Sequence, residues 1–188
     1  MKKNGFTLVE VLAMITVIGI IMLVSIPNIS GMMKNQRLNY LKGDAISMVE
    51  AAKMKVSKSK EIEKIGAGDC IVFSLNYLDE NENMVKGPNG GKYDQFESIV
   101  VYTREDTATS KKYKYYVRLV EIDGNKKNGI TFIDSESINS LTGIKEAEGT
   151  IGLTETTTQE DALTNLSVFA SITQYCNIPV KDYYSGLK

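Results

Sequence analysis

Hydrophobic and polar positions divide the chain into an apolar start, an amphipathic middle and a strand-rich remainder. The 21 residues from Phe6 to Ile26 contain one charged side chain, Glu10. As a helix they are about 32 Å long, close to the thickness of a bilayer core. Two lysines precede this run and the next basic residue is Lys34. The pattern therefore predicts a single membrane-spanning helix with its N-terminus inside the cell.

Helical periodicity continues beyond Pro27, because apolar residues recur at i, i+3, i+4 and i+7 on one face and charged residues occupy the other. The apolar stripe comprises Leu38, Leu41, Ala45, Met48, Val49, Ala52 and Val56. One helix about 80 Å long is predicted from Phe6 to about Lys60, with its second half packed against a folded head. Gly19 and Pro27 are its weak points, and a passive kink and a functional hinge fit Pro27 equally.

The remaining sequence predicts a β-rich head. Strand-like composition or alternation occurs in Cys70–Leu78, Phe96–Thr103, Tyr113–Ile122 and Gly129–Asp134, with turn-forming residues between them. One apolar face of this meander would lie on the helix stripe, which gives an α+β fold with a long N-terminal helix on an antiparallel sheet. Thr150–Thr158 is predicted to be an exposed loop. A short helix capped by Thr158 and a strand through Val168–Tyr175 both remain open for the segment after it.

Composition narrows the classes of function. The 188 residues contain 22 Lys and Arg against 23 Asp and Glu, a balance that argues against a protein built mainly to coat nucleic acid. The absence of histidine excludes histidine-ligated metals and histidine-dependent triads, and two cysteines cannot form a four-cysteine zinc site. The Gly87–Lys92 segment does not fit a phosphate-binding loop and is predicted to be a turn. We therefore expect a protein that is not an enzyme and has no metal or cofactor.

The two cysteines, Cys70 and Cys176, both follow the predicted span, which places them in an external and usually oxidising compartment. A disulfide between them would close a loop of about 105 residues and contribute roughly 4–5 kcal/mol to stability in the chain-entropy description. Two separately buried thiols are the alternative. The disulfide is the favoured interpretation.

Basic residues cluster around one predicted hairpin. They are Lys111, Lys112, Lys114, Arg118, Lys126 and Lys127. Such a cluster can bind nucleic acid or another anionic surface by neutralising phosphates. The favoured alternative is a solvated hairpin edge whose lysines oppose aggregation.

Glu10 distinguishes between explanations of the apolar run. A carboxylate in hydrocarbon costs roughly 2.5–3.5 kcal/mol, and no basic residue lies in the run to compensate it. Cleavage after Gly5 would give Phe6 a cationic α-amine that can pair with Glu10 of the same helix or of a neighbouring subunit. The second pairing would make Glu10 a register device for assembly. A secretory signal peptide fits poorly, because the run is long and continues into further helical sequence.

The stretch Lys3-Asn4-Gly5-Phe6-Thr7-Leu8-Val9-Glu10 resembles the class III signal of type IV pilins and pseudopilins. The resemblance covers about the first 30 residues, and Gly19 and Pro27 stand where pilins carry a helix-softening glycine and proline. It implies that a prepilin peptidase cuts between Gly5 and Phe6 and methylates the new Phe6 amine. It also implies that Glu10 pairs with the Phe6 amine of an adjacent subunit.

By this resemblance, residues 1–5 are a cleaved leader, 6–27 a transmembrane and assembly helix, 28–65 its amphipathic continuation and 66–188 an external head. The expected function is that of a structural subunit of a type IV pilus. Its expected partners are further copies in a homopolymeric filament, minor pilins, prepilin peptidase, the pilus assembly platform and the membrane. The expected localisation is the cytoplasmic membrane before assembly and a cell-surface pilus afterwards. A pseudopilin of a type II secretion or DNA-uptake system, and a monomeric membrane-anchored binding domain, are the alternatives.

Overall fold

The computed structural model of the chain describes residues 6–59, 65–79, 84, 86–147, 150–154, 158–166 and 176. The chain divides into two compact units, Met1–Arg37 and Leu38–Lys188. The predicted leader, residues 1–5, and the alternative strand Val168–Tyr175 lie outside the described residues.

Helix α1 spans Leu8–Lys58, two residues shorter at each end than the pattern predicts. Its backbone is helical through both Gly19 and Pro27. In the second unit, the predicted apolar stripe from Leu38 to Val56 is buried, and its members are at most 7% exposed. Burial of this stripe anchors the second half of α1 in the core, as its periodicity predicts.

The sheet is antiparallel throughout its named pairings, which confirms the predicted α+β class. Its order is β1-β3-β4-β5-β6, and β2 pairs with β4. β3 pairs with the first part of β4, up to Arg118. β2 pairs with β4 further along the same strand, at Glu121 and Ile122. The strands are β1 (Cys70–Ser74), β2 (Lys92–Tyr93), β3 (Ile99–Asp106), β4 (Lys111–Asp123), β5 (Lys126–Asp134) and β6 (Lys145–Glu146).

Three short helices accompany the sheet: α2 (Leu75–Leu78), a 3-10 helix (Ser135–Ser140) and α3 (Gln159–Leu166). The predicted strand Cys70–Leu78 is wrong in its second half, because α2 begins directly after Ser74. The hydroxyl of Ser74 accepts a hydrogen bond from the backbone N–H of Tyr77 and caps this helix. Leu75 and Leu78, three residues apart, are thereby both buried.

One face of the sheet packs against α1. One hydrophobic cluster contains most of the α1 stripe together with residues of β1, β3 and β4, namely Phe73, Val100, Tyr102, Val117 and Leu119. The Lys42 ammonium also donates to the backbone oxygen of Asn139 over 2.9 Å, which connects α1 to the 3-10 helix. This face matches the packing that the alternation of β4 predicts.

The opposite face of the sheet is also buried. A second cluster of buried residues comprises Cys70, Val72, Ile99, Val101, Tyr116, Phe132, Ile151, Leu153 and Ala162. The prediction that residues 150–158 form an exposed loop is therefore wrong for Ile151 and Leu153, which are 3% and 5% exposed. The physical reason lies in β1 and β3, whose consecutive apolar residues leave both of their faces in need of cover.

Candidate functional site

The start of α1 is a reciprocal capping arrangement between Thr7 and Glu10. The backbone N–H and the hydroxyl of Thr7 each donate to Oε2 of Glu10 over 2.8 Å. The N–H of Glu10 in turn lies 3.3 Å from the Thr7 hydroxyl oxygen, which accepts its hydrogen bond. This is the capping box of the pattern T-x-x-E, with Thr7 before the first helical residue, Leu8.

The cap gives Glu10 a hydrogen-bonded environment within a single chain. The hydrogen bonds from the backbone and hydroxyl of Thr7 lower the pKa of the Glu10 carboxyl. Both of these hydrogen bonds end on Oε2. Phe6 precedes the cap and its side chain is 75% exposed. Gly5, the other residue of the predicted cleavage bond, lies outside the described residues.

The apolar part of α1 carries its hydrophobic residues on all sides. Every side chain from Phe6 to Leu23 is exposed, and the large apolar ones range from 43% to 86% exposure. Gly19 has open space where a Cβ would stand, so no described neighbour requires glycine there. The side chain of Pro27 lies outside the described part of the helix.

The predicted localisation as a single-pass protein of the cytoplasmic membrane is contradicted by one finding. Among the residues that the structure describes, no helix has the length and apolarity needed to cross a membrane.

Cys70 and Cys176 are joined by a disulfide, with their Cα atoms 5.5 Å apart and 106 positions apart in sequence. Cys70 is the first residue of β1 and is buried, whereas Cys176 is half-buried and packs against the same cluster. The favoured sequence interpretation thus agrees with the structure. The bond attaches Cys176 to β1 beside the second cluster.

The six predicted basic residues do not form one surface. Lys111 is the first residue of β4 and lies opposite Asp106 of β3 in the strand register. Lys126 of β5 lies opposite Asp123, the last residue of β4. Twelve residue steps at about 3.3 Å separate these ends by about 40 Å. Lys114 lies 3.0 Å from a carboxylate oxygen of Glu105 and is partly buried. A nucleic-acid partner remains a prediction that this geometry does not favour.

Arg118 is fully buried on the second face of the sheet. Its Nη2 atom lies 3.4 Å from Oε2 of Glu97, which is 3% exposed. Burial lowers the pKa of the Arg118 guanidinium, and the charge of Glu97 opposes that shift. Sequence reasoning placed Arg118 on the surface. Its position between Tyr116 and Val120, in the central strand of a sheet with two apolar faces, is the signal that could have corrected it.

The Gly87–Gly91 loop is a turn, as predicted, and its amides bind a carboxylate of the same chain. The N–H groups of Asn89 and Gly91 each lie 2.9 Å from Oε1 of Glu121, and the Asn89 side-chain amide lies 2.7 Å from Oε2. Glu121 is fully buried. A Cβ at Gly87 would overlap the Glu121 carboxylate, which explains the glycine. The loop is therefore a structural anchor in this fold.

Beside this loop, the Tyr93 hydroxyl donates to Oδ2 of Asp44 over 2.6 Å and connects β2 to α1. Burial raises the pKa of Asp44, the Tyr93 bond lowers it, and the charge of Glu121 adds to the increase. Burial and the bond to Asp44 also raise the pKa of Tyr93. Within the described ranges, no group of three or more acidic or cysteine side chains is arranged to hold a metal ion.

Comparisons with known protein families, with curated proteins and with solved structures each find no match to this chain. The start of α1 is consequently the candidate site that sequence and geometry together support. It combines an ionised, capped carboxylate with an exposed apolar helix.

Proposed function

We propose that this protein is a structural subunit of a type IV pilus. In this proposal the chain is cut between Gly5 and Phe6, the new Phe6 amine is methylated, and the subunit polymerises through its N-terminal helix. The observation that carries the proposal is the exposed apolar surface around the whole of α1 from Leu8 to Leu23, interrupted by one carboxylate.

A helix that is apolar on every side is stable only where its whole circumference is covered. Packing of several such helices from different copies would supply this cover along the axis of a filament. Each fully buried leucine, isoleucine or valine contributes about 1.5–3 kcal/mol relative to its exposed state. Packing between helices with this many apolar residues is consequently strong. On its own, it does little to fix the axial position of one helix relative to the next.

Glu10 would supply the register. Its Oε2 atom is engaged by Thr7, and the bonds of the cap leave Oε1 as the oxygen able to accept from the Phe6 amine of a second copy. Because Thr7 keeps its backbone N–H after cleavage at Gly5–Phe6, the cap survives processing. A charged pair between Glu10 and a neighbouring amine inside an apolar helix bundle would favour one axial position over others.

Processing is tested by mass spectrometry of the filament fraction, which is pelleted by ultracentrifugation from cells that contain a prepilin peptidase and an assembly machinery. The proposal requires an N-terminal peptide that begins at methylated Phe6. Recovery of pelleted protein that still begins at Met1 would show that Gly5–Phe6 is not a processing site.

Assembly is tested with Glu10→Ala, and Glu50→Ala serves as the matched control because Glu50 is an exposed carboxylate on the same helix. Glu10→Ala is expected to reduce filament yield at least about tenfold at equal protein level, since loss of a buried charge pair costs more than 1.4 kcal/mol per contact. Glu50→Ala should leave the yield unchanged. Equal yields from both variants would contradict the pairing, and short assemblies in place of long filaments would favour a pseudopilin.

A further inference from the structure

The second face of the sheet is covered by a segment of the chain that we call the strap, defined as Ala147, residues 150–154 and residues 158–166. Ile151, Leu153 and Ala162 of the strap are buried in the cluster with Val72 and Phe132. Within the described residues, the cluster between the sheet and α1 contains no residue of the strap. The two faces of the sheet thus have separate covers.

Glu97 holds the strap by its backbone. The N–H of Ile151 lies 3.0 Å from Oε2 of Glu97, and the N–H of Gly152 lies 2.8 Å from Oε1. Glu97 lies between β2 and β3 on the body of the head and is itself 3% exposed. Hydrogen bonds from two successive N–H groups to one carboxylate fix the position of the strap, while Ile151 and Leu153 fill the apolar surface beside it.

The strap is fastened at both ends. At its start, the N–H of Ala147 donates to the backbone oxygen of Lys127 in β5 over 2.9 Å. Beyond its end, Cys176 is bonded to Cys70 at the beginning of β1. A segment held at two ends pays a much smaller entropic cost to lie on the sheet than a segment held at one.

We propose that the strap is a redox-latched cover, which the Cys70–Cys176 disulfide keeps on the second face of the sheet and which reduction allows to detach while the face under α1 stays folded. The reductant is a dithiol, which is oxidised to its cyclic disulfide. The protein disulfide accepts two electrons and two protons and becomes the thiols of Cys70 and Cys176. This inference does not depend on the proposed filament, because every contact that it uses lies within the head of one chain.

The test is hydrogen exchange of the full chain with and without dithiothreitol, with reduction verified by mass. The amides of Ile151 and Gly152 are expected to exchange at least about tenfold faster after reduction, because the strap then loses the covalent attachment beyond its C-terminal end. The backbone amides of residues in β3 and β4 whose side chains pack against α1, such as Val100 and Val117, should keep their protection. The double variant Cys70→Ser with Cys176→Ser should behave as the reduced chain does without any reductant.

A matched pair of carboxylate variants separates the strap from general loosening of the head. Glu97→Gln should speed exchange at Ile151 and Gly152 by a larger factor than at Val100 and Val117, whereas general loosening of the head would speed exchange at all four amides alike. Glu121→Gln removes a buried carboxylate that accepts two backbone N–H groups in the same way, and it should speed exchange at Asn89 and Gly91 only.

Two results on the wild-type chain would overturn the proposal without any variant. If Ile151 and Gly152 keep their protection after verified reduction, the disulfide is not the latch. If their exchange accelerates together with that of Val100 and Val117, reduction unfolds the whole head and the strap is not a separate cover.

Discussion

Replacing Glu97 with glutamine should destabilise the head more than any surface substitution. Glu97 is 3% exposed and accepts hydrogen bonds from Ile151, Gly152 and Arg118. Glutamine offers one oxygen in place of two and turns its amide group, a donor, towards at least one of these donors. It also removes the negative charge that faces Arg118, which is fully buried.

The size of the effect follows from these contacts. Removal of one partner from a buried ion pair costs about 3–5 kcal/mol, because the other charge stays buried without compensation. Arg118→Met should cost less, since Glu97 keeps its two backbone donors when the cation is lost. The double variant should be less destabilised than the sum of the two single changes, by at least about 1.5 kcal/mol.

The assay is urea unfolding of the oxidised chain, followed by far-ultraviolet circular dichroism at pH 7. Glu50→Gln is the control, because Glu50 is exposed on α1, and it should change the free energy of unfolding by less than about 0.5 kcal/mol. A cost below about 1 kcal/mol for Glu97→Gln, or simple additivity with Arg118→Met, would show that the two groups are solvated and that the described pair is not a buried one.

Three further predictions concern the α1 side of the sheet and its turns. The pKa of Asp44 is raised on folding, so its contribution to stability falls as pH rises through the folded-state pKa. Asp44→Asn keeps an acceptor for Tyr93 and should therefore unfold at higher urea than wild type at pH 7 but at equal urea near pH 3. Gly129→Ala should cost more than about 2 kcal/mol in the same assay, because a Cβ there would overlap the backbone oxygen of Leu119. Burial raises the pKa of Tyr115 to about 12, so spectrophotometric titration should show a late tyrosine that Tyr115→Phe removes.

The sequence predicts the parts of this fold that depend on periodicity. The burial of the stripe from Leu38 to Val56 follows from its spacing. The alternation of β4 correctly places Val117 and Leu119 on the face towards α1, but it does not predict that the other face of this strand is buried as well. The second cover could not be predicted in this way, because Ile151 and Leu153 lie in a polar stretch. The backbone N–H groups that hold this stretch, those of Ile151 and Gly152, bind Glu97, which lies 54 and 55 residues earlier in the chain. Strand Cys70–Leu78 was predicted too long for a similar reason. Ser74 is the last residue of β1 and at the same time the N-cap of α2, so the strand ends at the residue whose hydroxyl starts the helix.

Glu10 shows how a local contact changes a functional argument. Sequence reasoning pairs this carboxylate with a Phe6 amine of the same helix or of a neighbouring subunit, whereas the structure gives it two donors from Thr7 in the same chain. The same arrangement occurs at α3, where the hydroxyl of Thr158 donates to Asp161 over 2.6 Å and accepts from its N–H. A threonine followed three residues later by an acid thus begins both helices. One of these acids, Asp161, belongs to α3 of the folded head, where no second copy is needed to explain it. Helix capping is therefore a role that an acid at this position has in a single chain, whether or not the chain assembles. What remains particular to Glu10 is its place in the exposed apolar part of α1, between Leu8 and Leu23. This surrounding apolar surface, more than the charge, makes assembly with further copies the function to test first.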